Sequence, residues 1–170
     1  MGSFNHFSIQ WVLTPPPPPD MKIAFKMDSM PLTMLGLNMI VEIFTASVLR
    51  KQPNPIPLST ITVMAHFDTG ASITSIDINL AKHLNLTPIG ESTSNTAKGP
   101  QKTPNFCIDL NFSGTTLQPF HNLKVGSCTL PFNIEKEISP RNFGILIGRD
   151  VMSRWNIIWN GPSSTVFISD

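Results

Sequence analysis

His66-Phe67-Asp68-Thr69-Gly70-Ala71-Ser72 closes an apolar run, Ser59 to Phe67, in which Ile61, Val63 and Ala65 alternate with Thr62 and Met64. This period of two marks a strand with one buried face. A carboxylate at the end of such a strand is costly beside a core unless the following turn satisfies it. Gly70 permits a tight turn and lets backbone N–H groups approach the carboxylate with no Cβ in the way. Thr69 can lend its hydroxyl to a neighbouring loop and stiffen the turn. Alone, Asp-Thr-Gly is also compatible with an Asx-turn that ends a strand.

A second stretch, Phe143-Gly144-Ile145-Leu146-Ile147-Gly148-Arg149-Asp150, runs from apolar residues into Gly and a charged pair. The amphipathic Val151 to Trp155 that follows predicts a helical turn or two. Such a strand-to-helix junction would bury Arg149 near the base of the domain, where it needs a carboxylate or carbonyl partner.

In this order the two stretches resemble the retropepsin-like (retroviral-type) aspartic proteases. That family runs from an apolar strand through Asp-Thr/Ser-Gly-Ala and a β-hairpin flap to Gly-Arg-Asp/Asn and a short helix. Here FDTGAS stands at 67–72 and ILIGRD at 145–150, with Thr96 to Gly99 where the family has its flap. Met39 to Phe44 falls at the place of the family's first strand. The resemblance covers roughly residues 36–170. It implies a mainly all-β fold, the closed β-barrel or half-fold of the acid proteases, with one short C-terminal helix. It implies Asp68, Thr69 and Gly70 as the catalytic group, and Ala71, Ala97, Lys98, Gly99 and Leu146 as substrate-binding residues. Gly148, Arg149 and Asp150 are implied as structural support. One position departs: retroviral members often carry an acidic residue four places after the catalytic Asp, able to pair with the Arg, and this chain has Ser72.

The chemistry implied is peptide hydrolysis by a water molecule, with neither metal nor organic cofactor. It needs one carboxylate ionised and another protonated, and two carboxyls a few ångströms apart titrate in separate steps. The chain has one Asp-Thr-Gly, and Asp77, Asp109 and Asp150 lack the Thr-Gly turn. The second carboxylate is therefore expected from a second copy across a two-fold axis. The expected partners are a peptide or protein substrate and the chain itself as a homodimer, with Thr165 to Ile168 as an edge strand at the seam. The alternative from another class is a catalytically silent domain of the same fold, serving dimerisation or peptide binding.

Composition narrows the field. The 170 residues carry 12 Lys and Arg against 11 Asp and Glu, a formal charge of +1, which argues against nucleic acid as a partner. Charged residues are 14% and apolar ones 41%, so the chain has ample surface to bury. Sixteen Pro, ten Gly and no Tyr favour a turn-rich β chain. Cys107 and Cys128 are too few for a disulfide scaffold and are expected reduced on strands. His66, His83 and His121 are scattered, no Gly-x-Ser-x-Gly elbow accompanies Ser72, and no phosphate-cradling GxxxxGK[ST] loop occurs. Residues 31–49 are largely apolar, but Asn38 and Glu42 interrupt them, and no charged-then-apolar leader opens the chain. A soluble, cytoplasmic protein without stable membrane insertion is expected, with an anchor through residues 31–49 as the alternative.

Residues 1–35 read as a Pro-rich extension or linker before a domain at 36–170. They hold a strand-like run from Phe7 to Leu13 and five prolines, Pro15 to Pro19, which favour a polyproline II spacer. Arg50 to Pro57 is expected as a loop, Ile78 to Leu86 as a short helix and Glu91 to Pro104 as an exposed hairpin tip or loop. Phe106 to Phe112 should be a strand turned by Ser113-Gly114, followed by short strands at Leu123 to Val125, Cys128 to Phe132 and Gly144 to Ile147. Trp155 and Trp159 are expected in the core, and Thr165 to Ile168 as the last strand.

Overall fold

The computed structural model describes residues 25–28, 35–50, 58–96, 99–161 and 165–170. The run Phe7 to Leu13, the prolines Pro15 to Pro19 and most of the Arg50 to Pro57 loop lie outside them. In chain order the strands are β1 (Phe25–Asp28), β2 (Asn38–Thr45), β3 (Thr60–Phe67), β4 (Ser75–Asp77) and β5 (Gly90–Thr96), then β6 (Gly99–Phe112), β7 (Phe120–Cys128), β8 (Phe143–Ile147), β9 (Asn156–Asn160) and β10 (Thr165–Ser169). Among the described residues three short helices join them: α1 (Ser47–Arg50), α2 (Ile78–His83) and α3 (Arg149–Met152). The fold is mainly β, with two helices besides the C-terminal one named by the resemblance. Among the described residues no helix is long and apolar enough to cross a membrane.

Strands β2-β3-β8-β4-β7-β6 pair in that order, and β6 returns to β2, so the sheet closes into a six-stranded barrel. The alternation in β3 sends Val63, Ala65 and Phe67 into the core while Thr62 stays exposed. Val41, Ile43, Ile76, Ile108, Leu110, Ile145 and Ile147 fill the interior. Trp155 packs across one end, with ring centroids 4.8 Å from Phe112, 5.9 Å from Phe120 and 6.1 Å from Phe67. The second half of β6, from Asn105 to Leu110, is buried on both faces: Asp109 on its outer face receives the backbone N–H groups of Ser47 and Asn122 at 3.2 and 2.8 Å. A strand with such partners reads in sequence as half-buried, because the covering groups come from elsewhere in the chain.

The connection that matters most runs between β3 and β4. Strand β8 lies between them, parallel to β3 and antiparallel to β4. The loop 68–74 must therefore pass over the end of β8, which brings the two motifs of the sequence together. Asp77 ends β4 and caps α2, accepting from Asn79 N at 2.8 Å and Leu80 N at 3.1 Å, as expected of an N-cap carboxylate. Gly144 lets α2 approach the sheet: a Cβ there would stand 2.6 Å from Leu80 Cδ2.

Strands β1, β10 and β9 form a second, three-stranded sheet in that order. Strand β10 is its middle strand, paired on both sides, and Val166 and Ile168 are fully buried. This corrects the expectation that Thr165 to Ile168 is an exposed edge, since the chain supplies partners for both sides. Trp159, on β9, is 51% exposed rather than in the core, because its position is on a sheet edge and not on a helix with Trp155. Residues 129–142 contain no strand beyond the isolated Ser139–Asn142 bridge, so the run Cys128 to Phe132 extends no further than the last residue of β7. Asn142 organises this loop, donating from Nδ2 to the carbonyls of Asn133, Lys136 and Glu137.

Candidate active site

The last backbone bond that holds Asp68 to the barrel is its own N–H to Ile147 O, 3.0 Å. The chain then turns at once. Gly70 N donates to Asp68 Oδ1 at 2.7 Å, and Ala71 N donates to Asp68 O at 3.1 Å. A Cβ on Gly70 would sit 3.0 Å from that same Oδ1, so the glycine is what lets the amide close on the carboxylate. Asp68 is partly buried, and Thr69 and Gly70 are exposed. The result is an ionisable group at the surface of a rigid barrel, with one oxygen tied to backbone.

The second motif grips the backbone of this turn. Arg149 N donates to Ala71 O, and Arg149 Nη1 donates to Thr69 O, both at 3.0 Å. Gly148 N donates to Thr74 Oγ1 at 3.1 Å. Asp150 Oδ1 accepts from Thr74 N, Thr74 Oγ1 and Val151 N, at 2.9, 2.8 and 3.0 Å. Gly148 lies so close to the loop that a Cβ would be 2.6 Å from Ile73 C and 2.8 Å from Thr74 N. Leu146 is half-buried on β8, in register with His66 on one side and Ser75 on the other.

Arg149 differs from expectation. It is exposed rather than buried, while its partner is one of the two kinds expected, a carbonyl, that of Thr69. The reason is its position at the first residue of α3, on the surface side of the loop, with the short Ser72 offering no charge. Thr74 is the residue the sequence left unmarked. It is fully buried and joins both motifs, yet a lone Thr in a polar loop carries no signal of that role. His66 Nδ1 lies 3.0 Å from Asn38 Oδ1, and its ring stacks on Phe143 at 5.0 Å, which steadies the strand end just before Asp68.

Of the remaining sequence-derived positions, Gly99 begins β6, one arm of the β5–β6 hairpin. Its arms pair from Gly90↔Asn105 to Thr96↔Gly99, and Gly99 has φ +98°. Ala97 and Lys98 fall outside the described residues. Among the described residues no group of three His, Cys, Asp or Glu side chains is placed to hold a metal.

A family model described as aspartyl protease matches residues 59–150, more than half of the chain, and spans both motifs. The chain belongs to the aspartyl protease family. No curated protein matches it. Among solved structures this aspartyl protease family member is similar to a retropepsin-like aspartic protease from Rickettsia conorii, with 14% identity and a TM-score of 0.40 over 78% of this chain and 90% of that one. It is likewise similar to the retroviral protease-like domain of Ddi1 from Leishmania major, with 14% identity and a TM-score of 0.40 over 79% of this chain and 90% of that one.

Proposed function

We propose that the protein is an aspartic endopeptidase of retropepsin type that works as a homodimer, with Asp68 of each subunit forming the catalytic dyad. The observation that carries this reading is the turn at Asp68: one carboxylate, at the barrel surface, held by Gly70 N–H at 2.7 Å. The other carboxylate of the paired motifs, Asp150, is committed to Thr74 and Val151. A single subunit thus offers half of a two-carboxylate site, and a two-fold axis beside Asp68 would complete it.

In the dimer one Asp68 takes a proton from water as the water attacks the peptide carbonyl, while its protonated counterpart polarises the carbonyl oxygen. Two carboxyls held this close share one proton rather than both ionising. Thr69 and Gly70 keep the turn rigid, and Gly148, Arg149 and Asp150 support it. Ala71 and Leu146 line the substrate cleft. Ala97, Lys98 and Gly99 are the residues assigned to bind an extended peptide, by strand-like hydrogen bonds. The substrate is a peptide or protein, and the mechanism asks for no cofactor.

The test is incubation of the wild-type chain and Asp68→Asn with a peptide library between acid and neutral pH. Asn is nearly isosteric but supplies no ionisable carboxyl. Cleavage by the wild type should be abolished in Asp68→Asn with the fold retained, and residual activity within about tenfold of wild type would overturn the dyad. Specific activity of the wild type should also fall on dilution below the dimer dissociation constant, because mass action empties the competent state. A monomer cleaving at the full rate would show that one Asp68 suffices.

A further inference from the structure

Arg149 carries a charge that the described residues leave uncompensated. Its guanidinium donates once, from Nη1 to Thr69 O at 3.0 Å, and the side chain is exposed. A guanidinium has five N–H donors in a planar fork, so most of its capacity remains for another acceptor. Ser72, exposed on the adjoining loop, offers a hydroxyl and no charge. Asp150 directs Oδ1 to Thr74 and Val151, and the ion pair between described residues is the distant His121–Asp109 contact at 3.5 Å. A cation at the first residue of a helix gains nothing from the backbone dipole either.

The place of this cation is defined. Thr69, whose carbonyl it touches, follows Asp68 directly, and Arg149 N is bonded to Ala71 O at 3.0 Å. An extended peptide with its cleaved bond at Asp68 must run past the same turn, advancing about 3.3 Å per residue. We propose that Arg149 selects substrates that carry an acidic side chain about two to four residues from the cleaved bond. The Nη1 bond to Thr69 orients the fork, and the remaining N–H donors bind the substrate carboxylate. This assignment rests on the reading of Asp68 as the catalytic carboxylate.

The test uses fluorogenic peptides built on a sequence cleaved from the library, with Glu, Gln or Lys placed in turn two, three and four residues from the cleaved bond. At one of these positions the wild type should cleave the Glu peptide at least about tenfold better in kcat/KM than the Gln peptide, chiefly through KM. The gap should shrink as salt rises. Arg149→Gln should bring the ratio near one, Arg149→Lys should retain part of it, and Arg149→Glu should favour the Lys peptide. Fluorescence anisotropy with the Asp68→Asn protein should give the same order of affinities without turnover.

A wild-type ratio near one, or a ratio that survives in Arg149→Gln, overturns the proposal and leaves the endopeptidase reading intact. Equal loss of acidic and neutral peptides in the variants, with sedimentation shifted to monomer, also overturns it and puts the guanidinium at a subunit contact. Arg149-dependent binding of the Glu peptide without cleavage by the wild type overturns the endopeptidase reading and, with it, the selection of substrates by Arg149. Neither binding nor cleavage of any peptide overturns both.

Discussion

Asp150 Oδ1 accepts hydrogen bonds from both the backbone N–H and the hydroxyl of Thr74, at 2.9 and 2.8 Å, between residues 76 apart in the chain. The same hydroxyl accepts from Gly148 N at 3.1 Å, so Thr74 Oγ1 bridges the loop after Asp68 to the start of α3. Thr74 is fully buried, and water cannot replace either bond. The rigidity of the candidate catalytic turn is therefore set behind it, at a residue that need not touch substrate.

Thr74→Val keeps the volume and removes the bridge. It leaves the buried Gly148 N–H without its acceptor, which costs about 1–3 kcal/mol. Thr74→Ser keeps the hydroxyl and should lose less than half of that. Urea unfolding of the three proteins decides the matter, and a Val variant as stable as wild type would mean the hydroxyl bridge contributes nothing.

Gly148→Ala should be among the more damaging single-methyl additions in the chain. The new Cβ would meet Ile73 C at 2.6 Å and Thr74 N at 2.8 Å, and backbone cannot swing aside as a side chain can. The expected loss is at the upper end of ~1–3 kcal/mol, the usual cost of overpacking. Gly161→Ala, where a Cβ meets nothing within 4 Å, is the control and should change stability by less than about 0.5 kcal/mol. Melting temperatures that fall equally for both would contradict the contact argument.

Removing residues 165–170 should unfold the domain rather than yield a folded monomer. The deletion takes out the middle strand of the β1-β10-β9 sheet together with the fully buried Val166 and Ile168. Those two side chains alone represent about 1.5–3 kcal/mol each of lost burial. Circular dichroism and sedimentation of the truncated chain would show the outcome, and a monomer with native spectrum and sharp melting would restore the view of this strand as a dispensable seam.

Cys128 offers a pH signature. Burial first, and then the negative Asp77, push its thiol up from 9.0 to about 11. A group whose pKa is higher folded than unfolded contributes stability that is fully present below the unfolded value and disappears as pH rises through the folded one. The native protein should thus lose stability between about pH 9 and 11, and Cys128→Ala should lose less over that window. At pH 8 iodoacetamide should modify native Cys128 about a hundredfold more slowly than the unfolded chain, since only thiolate reacts. Equal rates in the two states would sink this account. Cys107, raised in the same direction by burial and then by Asp109, should also be slow.

Features carried by short spacing were legible before any fold was known. The alternation of Ile61, Val63 and Ala65 appears as β3, Met39 to Phe44 lies within β2, and Phe106 to Phe112 ends β6. The Asp68-Thr69-Gly70 turn follows from local rules too, since an amide two residues after a carboxylate reaches its oxygen without help from the rest of the chain. Strand β4, three residues long, has too little sequence to show a period and exists because β7 and β8 flank it.

The sequence by itself therefore determined the β class, the barrel-forming runs and the Asp68 turn, because each depends on residues within a few positions of one another. The tertiary structure alone decided that Arg149 is exposed, that Thr74 bridges the two motifs and that β10 is central rather than an edge. Each of these turns on which distant segment arrives as neighbour. Burial and partnership belong to pairs of residues brought together by closure of the barrel, and an amino-acid order specifies such pairs only through the whole of the packing.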